Sequence, residues 1–198
     1  MHKKNRIAAS AILILSTTGV VAQTARADTP DNQSALGSDE WFVLGGGGES
    51  HPGWGKTKEK VRTLDVILRR KRAQAPIQQA GDLRYQRSML IEVPFSELHT
   101  PKDSPMIGLT INACWTLIRE DGIEPYVFVG GGPAYTHAEI PGTSSKLKGT
   151  YQAGIGVEFK GHSVKYLMEF RFHHVSNGGI KKPNDPLNSS KFLFGIEL

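Results

Sequence analysis

Apolar and polar positions alternate with period two along most of the chain, and the helical period never holds for long. Such alternation sends successive side chains to opposite faces of a strand. The clearest stretch is 106–118. Ile107, Leu109, Ile111, Ala113, Trp115 and Leu117 share one face; Gly108, Thr110, Asn112, Cys114 and Thr116 share the other. In 60–70, Leu64, Val66 and Leu68 lie opposite Thr63, Asp65 and Arg69. In 148–160, Tyr151, Ala153, Ile155, Val157 and Phe159 lie opposite Gln152, Gly154, Gly156 and Glu158. Read throughout, the pattern predicts eight strands, at 41–49, 60–70, 85–93, 106–118, 124–137, 148–160, 163–175 and 191–198. Tight turns are predicted at Glu120-Asp121-Gly122 and at Lys160-Gly161-His162. The glycine run 45–48 weakens a strand but suits close backbone approach in a crowded barrel wall. A phosphate-cradling loop needs a Lys-Ser/Thr ending and a following helix, and the run has neither.

Several of these strands exceed the ~5–6 residues usual in soluble sheets, and crossing a bilayer takes ~9–11 residues per tilted strand. An even number of long alternating strands with aromatics near their ends predicts an all-β fold, an eight-stranded antiparallel up-and-down outer-membrane β-barrel. An interior of that size is filled by side chains. A soluble lipocalin-like barrel shares the alternation but turns its apolar face inward; strand length and loop asymmetry favour the membrane. With the N-terminus in the periplasm, the connections after the second, fourth and sixth strands are periplasmic. The stretch 71–82 is longer than that reading expects. The connection after the seventh strand is then extracellular.

The first residues change the charge picture. Lys3, Lys4 and Arg6 precede an apolar run from 7 to about 22, and Ala25-Arg26-Ala27 forms a small-residue cleavage site. That is the layout of a secretory signal peptide, 1–27. A polar tail, 28–39, and the barrel, 40–198, follow. Four of the 24 basic residues lie in the leader, leaving 20 against 19 acids, a net charge of +1. The basic balance of the whole chain is therefore no argument for nucleic-acid binding. The dense run Arg69-Arg70-Lys71-Arg72 is expected as a solvated turn. Cys114 stands alone, which excludes an internal disulfide and suits a small buried residue.

The candidate chemistry sits at 170–179. Phe170, Phe172, His174 and Ser176 share one face of the seventh strand; Glu169, Arg171, His173 and Val175 share the other. A serine hydroxyl attacks only when a base takes its proton, and histidine is the usual base. Neighbours two apart on a strand lie ~6.5–7 Å apart at Cα, within reach of an imidazole. A lipid ester beside that face would be the substrate, with Asn177 and the N–H groups of Gly178 and Gly179 as oxyanion donors. No acidic third member lies on the same face. The competing reading is an interfacial belt of polar tips among aromatics. His173 and His174 point to opposite faces and do not chelate one metal.

The segment Glu169-Phe170-Arg171-Phe172-His173-His174-Val175-Ser176-Asn177-Gly178-Gly179-Ile180, followed by Pro183-Asn184, resembles the lipid A 3-O-deacylase family of outer-membrane enzymes. The resemblance implies a signal peptide, an eight-stranded barrel and a lipid-facing serine esterase site. His174 would be the base, Ser176 the nucleophile, and Asn177, Gly178 and Gly179 the oxyanion hole. The substrate would be the ester-linked acyl chain at position 3 of lipid A, within lipopolysaccharide of the outer leaflet. No metal or organic cofactor and no nucleic acid is implied, and pairing into a homodimer is left open. The family's third member is a glutamate; here that position holds Asn188, with Asp185 nearby as a substitute. The chain also ends in Leu198 rather than an aromatic. A catalytically weak or inactive barrel with a structural or lipid-binding role is the alternative.

Overall fold

The alternating stretches form strands that close on themselves. The structure, a computed structural model, describes residues 39–54, 57–99 and 103–198. The expected signal peptide, and the expected tail up to residue 38, lie outside the described residues. The strands are β1 (Asp39–Ser50), β2 (Arg62–Ala73), β3 (Gln78–Ala80), β4 (Leu83–His99), β5 (Ser104–Gly108), β6 (Thr110–Leu117), β7 (Ile123–Thr136), β8 (Leu147–Lys160), β9 (Lys165–Ser176) and β10 (Leu187–Glu197). All pairings between them are antiparallel. β1 pairs with both β2 and β10, so first and last strands close a barrel of eight staves.

The ten strands differ from the eight predicted ones for two local reasons. The fourth stave is β5 and β6 in one register, interrupted at Leu109. Pro94 on β4 and Pro133 on β7 flank that interruption, and proline brings no N–H to a ladder. The long connection after β2 holds β3, which folds back on the start of β4 through Gly81 at φ +62°. The other two connections at that end are short. One is 118–122, where Asp121 accepts the Ile123 N–H at 3.1 Å. Arg119 donates to the same carboxylate at 2.7 Å, and this bond holds Asp121 below the usual carboxylate range. The opposite end carries the longer connections 51–61, 137–146 and 177–186.

Side chains divide as the alternation predicts, with the apolar set outward. Leu64, Tyr151 and Ile155 are each more than half exposed, and Phe95, Ile111, Val129 and Phe170 lie on the same outer surface. A wall of this kind is stable against hydrocarbon rather than water. The interior is charged, which excludes the lipocalin-like alternative. Arg69 donates to Glu92 at 2.7 Å, and Arg171 donates to Glu169 at 2.6 Å and to Glu92 at 3.1 Å. Gln152 donates to Glu92 and Tyr126 to Glu169, both at 2.8 Å. Lys71 meets Glu158 at 2.7 Å and Lys191 meets Asp65 at 2.6 Å. Each interior cation named here thus has its acid.

The basic run 69–72 is therefore not a solvated turn. β2 continues through it, turning Arg69 and Lys71 inward to their acids and Arg70 outward to Asp39. Cys114 is buried in the interior, with its sulfur 3.8 Å from the Thr116 hydroxyl. The glycines of β1 serve close approach: a Cβ on Gly46 or Gly48 would run into the Phe192 or Ser190 carbonyl oxygen of β10.

Arg69, Glu92, Arg171 and Glu169 form a buried charge quartet, and removing one member strands a buried charge, so Glu92→Gln is expected to lower stability by about 3–5 kcal/mol. Urea unfolding in detergent micelles, followed by tryptophan fluorescence, measures it; a change below about 1 kcal/mol would show that the quartet does not hold the barrel together.

Candidate active site

β9 presents Phe170, Phe172 and His174 to the outside and buries Glu169, Arg171 and His173 within. His174 lies near the end of the barrel that carries the long loops. Its register partners are Tyr151 on β8 and Asn188 on β10. The Tyr151 and His174 rings are 5.8 Å apart between centroids. On the other side, His174 Nδ1 lies 2.7 Å from Asn188 Oδ1. An amide oxygen is an acceptor, so Nδ1 carries the proton and Nε2 keeps its lone pair. That is the tautomer a general base requires.

Ser176 is the last residue of β9, and its register partner is Gly149. A Cβ at Gly149 would meet nothing within 4 Å, so the space before the serine is open on the β8 side. A groove of ≈340 Å³ opens beside Gly149, lined by Leu147, Gly149, Tyr151, Gly178 and Ile180 among others; neither Ser176 nor His174 lines it. Ser176 itself is 7% exposed. Its Oγ accepts the Gly178 N–H at 3.4 Å. Among the described residues no hydrogen bond joins it to His174. Bonds between nucleophile and base are often loose until substrate binds.

The chain then reverses. Ile180 N–H donates to the Asn177 carbonyl at 3.2 Å, with Gly178 at φ +66° and Gly179 at φ +80° between them. Two positive φ values in succession make a type I′ turn, which side-chain-bearing residues resist. Asn177 is buried. Its amide donates to the Ser144 carbonyl at 2.8 Å and the Lys181 carbonyl at 2.6 Å, while its Oδ1 accepts the Gly179 N–H at 2.9 Å. Asn184 Oδ1 takes the Asn177 backbone N–H at 2.9 Å. The Asn177 side chain therefore joins two loops and is not free to turn toward a substrate. Of the three expected donors, the Gly178 N–H is the loosely held one. Lys148 adds to the same junction, donating to Thr143 Oγ1 at 2.5 Å and to the Ser144 carbonyl at 3.4 Å.

Asp185 belongs to the loop framework. Its N–H donates to the Gly142 carbonyl at 2.7 Å and its own carbonyl accepts the Thr57 hydroxyl at 3.0 Å. Asn188, not Asp185, stands on His174. Sequence reasoning did not find the residues that surround this pair. Trp54 packs on Phe172 at 6.2 Å, and His51 shares a hydrogen bond of 2.8 Å with Ser190. The local signal for them was Pro52-Gly53, a turn dipeptide between two strands.

Residues 97–197 match a family described as Lipid A 3-O-deacylase (PagL). Among solved structures, the chain is similar to the outer membrane enzyme PagL, at 17% identity and a TM-score of 0.56, covering 80% of this chain and 98% of that one. It is also similar to Neisserial surface protein A (NspA), at 11% identity and a TM-score of 0.53, covering 81% and 98%. At these identities the two structures support the barrel fold alone. No curated protein sequence matches the chain.

Loss of the Asn177 amide should free both loops without opening the barrel. Asn177→Ala is expected to speed tryptic cleavage at Lys146 and Lys181 several-fold while the barrel body stays intact on gels. Unchanged cleavage would remove Asn177 as the junction.

Proposed function

The chain belongs to the lipid A 3-O-deacylase family of outer-membrane barrels, and from that premise we propose that it is an esterase removing the 3-O-linked acyl chain of lipid A. The observation that carries the reading is the His174–Asn188 pair beside Ser176, on the outer face of the barrel and inside the matched segment. A lipid held in the outer leaflet meets that face without leaving the membrane. The longer connections at that end support a site at the extracellular rim, at head-group depth.

Ser176 Oγ attacks the ester carbonyl as His174 Nε2 takes its proton. Asn188 Oδ1 keeps the ring in place through Nδ1–H. The Gly178 N–H, exchanging its 3.4 Å bond to Ser176 for the new oxyanion, stabilises the tetrahedral intermediate. Collapse expels the sugar oxygen, which takes the proton back from His174. Water then attacks the acyl-serine with His174 again as base, Ser176 Oγ leaves and takes that proton back, and a 3-hydroxy fatty acid is released. Asn188 orients the imidazolium without offsetting its charge, so turnover slower than with an acidic third member follows. In a serine protease the comparable change costs ~10⁴ in rate, by selecting the wrong tautomer. Here the acceptor face of the amide meets Nδ1.

The second reading, a barrel that binds lipid without cleaving it, is favoured by the neutral Asn188 and the unformed Ser176–His174 bond. Neither comparison supports a homodimer.

Mass spectrometry of lipid A from cells producing the protein separates the two. The wild type is expected to remove one hydroxyacyl chain, and Ser176→Ala and His174→Gln to leave lipid A unchanged. A correctly inserted wild-type barrel with no mass change would exclude the esterase.

A further inference from the structure

Asn188 is neutral, so its use to His174 depends on which end of its amide faces the ring. The oxygen accepts Nδ1–H and leaves Nε2 free as a base. The NH₂ group would instead donate to Nδ1 and put the proton on Nε2, where it blocks the serine. Something must therefore choose the orientation.

The Trp54 carbonyl makes that choice. Asn188 Nδ2 donates to the backbone carbonyl of Trp54. A carbonyl only accepts, so the amide end against it is NH₂, and the oxygen is left for His174 at 2.7 Å. The Trp54 carbonyl is itself held by a sequence-coded turn. Trp54 N–H donates to the His51 carbonyl at 3.0 Å, with Pro52 second and Gly53 third at φ +96°. Proline followed by a residue at positive φ is the type II pattern. The turn is fastened to β10 at two points: His51 N–H donates to the Asn188 carbonyl at 2.9 Å, and the His51 ring shares its 2.8 Å hydrogen bond with Ser190 Oγ. The His51 and Trp54 rings lie 4.7 Å apart, and Trp54 rests on Phe172. Ser190 and Asn188 lie two residues apart on β10, so one strand face carries both the third-member side chain and the anchor of the turn that orients it.

We propose that the turn 51–54, fastened through His51 and Ser190, is the positioning element that lets an uncharged residue serve as third member, by holding the Asn188 amide as an acceptor and so setting the tautomer of His174. His51 and Ser190 act through Asn188 and are positioning residues. The inference rests on His174 as the base of the proposed esterase, but its structural half stands apart from turnover.

The test uses the full barrel in detergent micelles with ¹⁵N-labelled histidine, the His174 signals being assigned by comparison with His174→Gln. In the wild type His174 is expected as the Nδ1–H form. In His51→Ala, and in Gly53→Ala, which strains φ +96° without a steric clash, it should move toward the Nε2–H form. On purified lipid A, kcat should fall about tenfold or more toward the wrong-tautomer limit, with KM within about twofold. His51→Gln, whose amide still bonds a hydroxyl, should restore both tautomer and kcat. Retention of the Nδ1–H form in His51→Ala and Gly53→Ala barrels that fold normally would overturn the proposal. If the tautomer shifts as expected but wild type and variants alike leave lipid A intact, the positioning role is supported and the esterase reading is the part overturned.

Discussion

The Arg69–Glu92–Arg171–Glu169 quartet is the constraint on which the rest of this protein depends. A barrel with hydrocarbon outside must place its polar residues within, and an interior of eight staves is too narrow to fill with water. Four charges in that space are tolerable only when each is met by opposite charge and by hydrogen bonds to its remaining atoms. Tyr126, Gln152, Thr110 and Asn112 supply those bonds. Phe128 closes one side, with Arg171 and Arg69 at 5.0 and 5.8 Å from its ring centre. The quartet draws on β2, β4 and β9 at once and holds distant staves in one register.

That register reaches the site. Because Glu169 and Arg171 must point inward, Phe170, Phe172 and His174 must point outward, and a slip of one residue would reverse both sets. The face turned to lipid is thus decided by charges on the opposite face of the same strand. The same alternation on β10 puts Lys191 inward to Asp65 and Ser190 and Asn188 outward beside His174.

Above the barrel, two loop devices complete the site by different means. The 177–180 turn depends on two glycines at positive φ and on the buried Asn177 amide, which ties the loops 137–146 and 177–186 together. The 51–54 turn depends on Pro52-Gly53 and reaches across to β10. Both convert loop backbone, otherwise the least constrained part of the chain, into fixed hydrogen-bonding surface.

The sequence by itself determined the wall and its faces, because strand side chains alternate with strict period two and any apolar set at that period must lie on one side. It also marked out His174 and Ser176 as a pair, since two residues apart on a strand is a local relation. Boundaries such as β4 running to His99 and β10 starting at Leu187 followed from pairing with neighbours distant in sequence. The ion partners of Arg69 and Lys71, the choice of Asn188 over Asp185 as the partner of His174, the loop-joining role of Asn177 and the approach of Trp54 to Asn188 were decided by the tertiary structure alone. Each joins residues from separate strands or loops, and a one-dimensional pattern holds no record of which distant backbone will come to lie beside a given side chain.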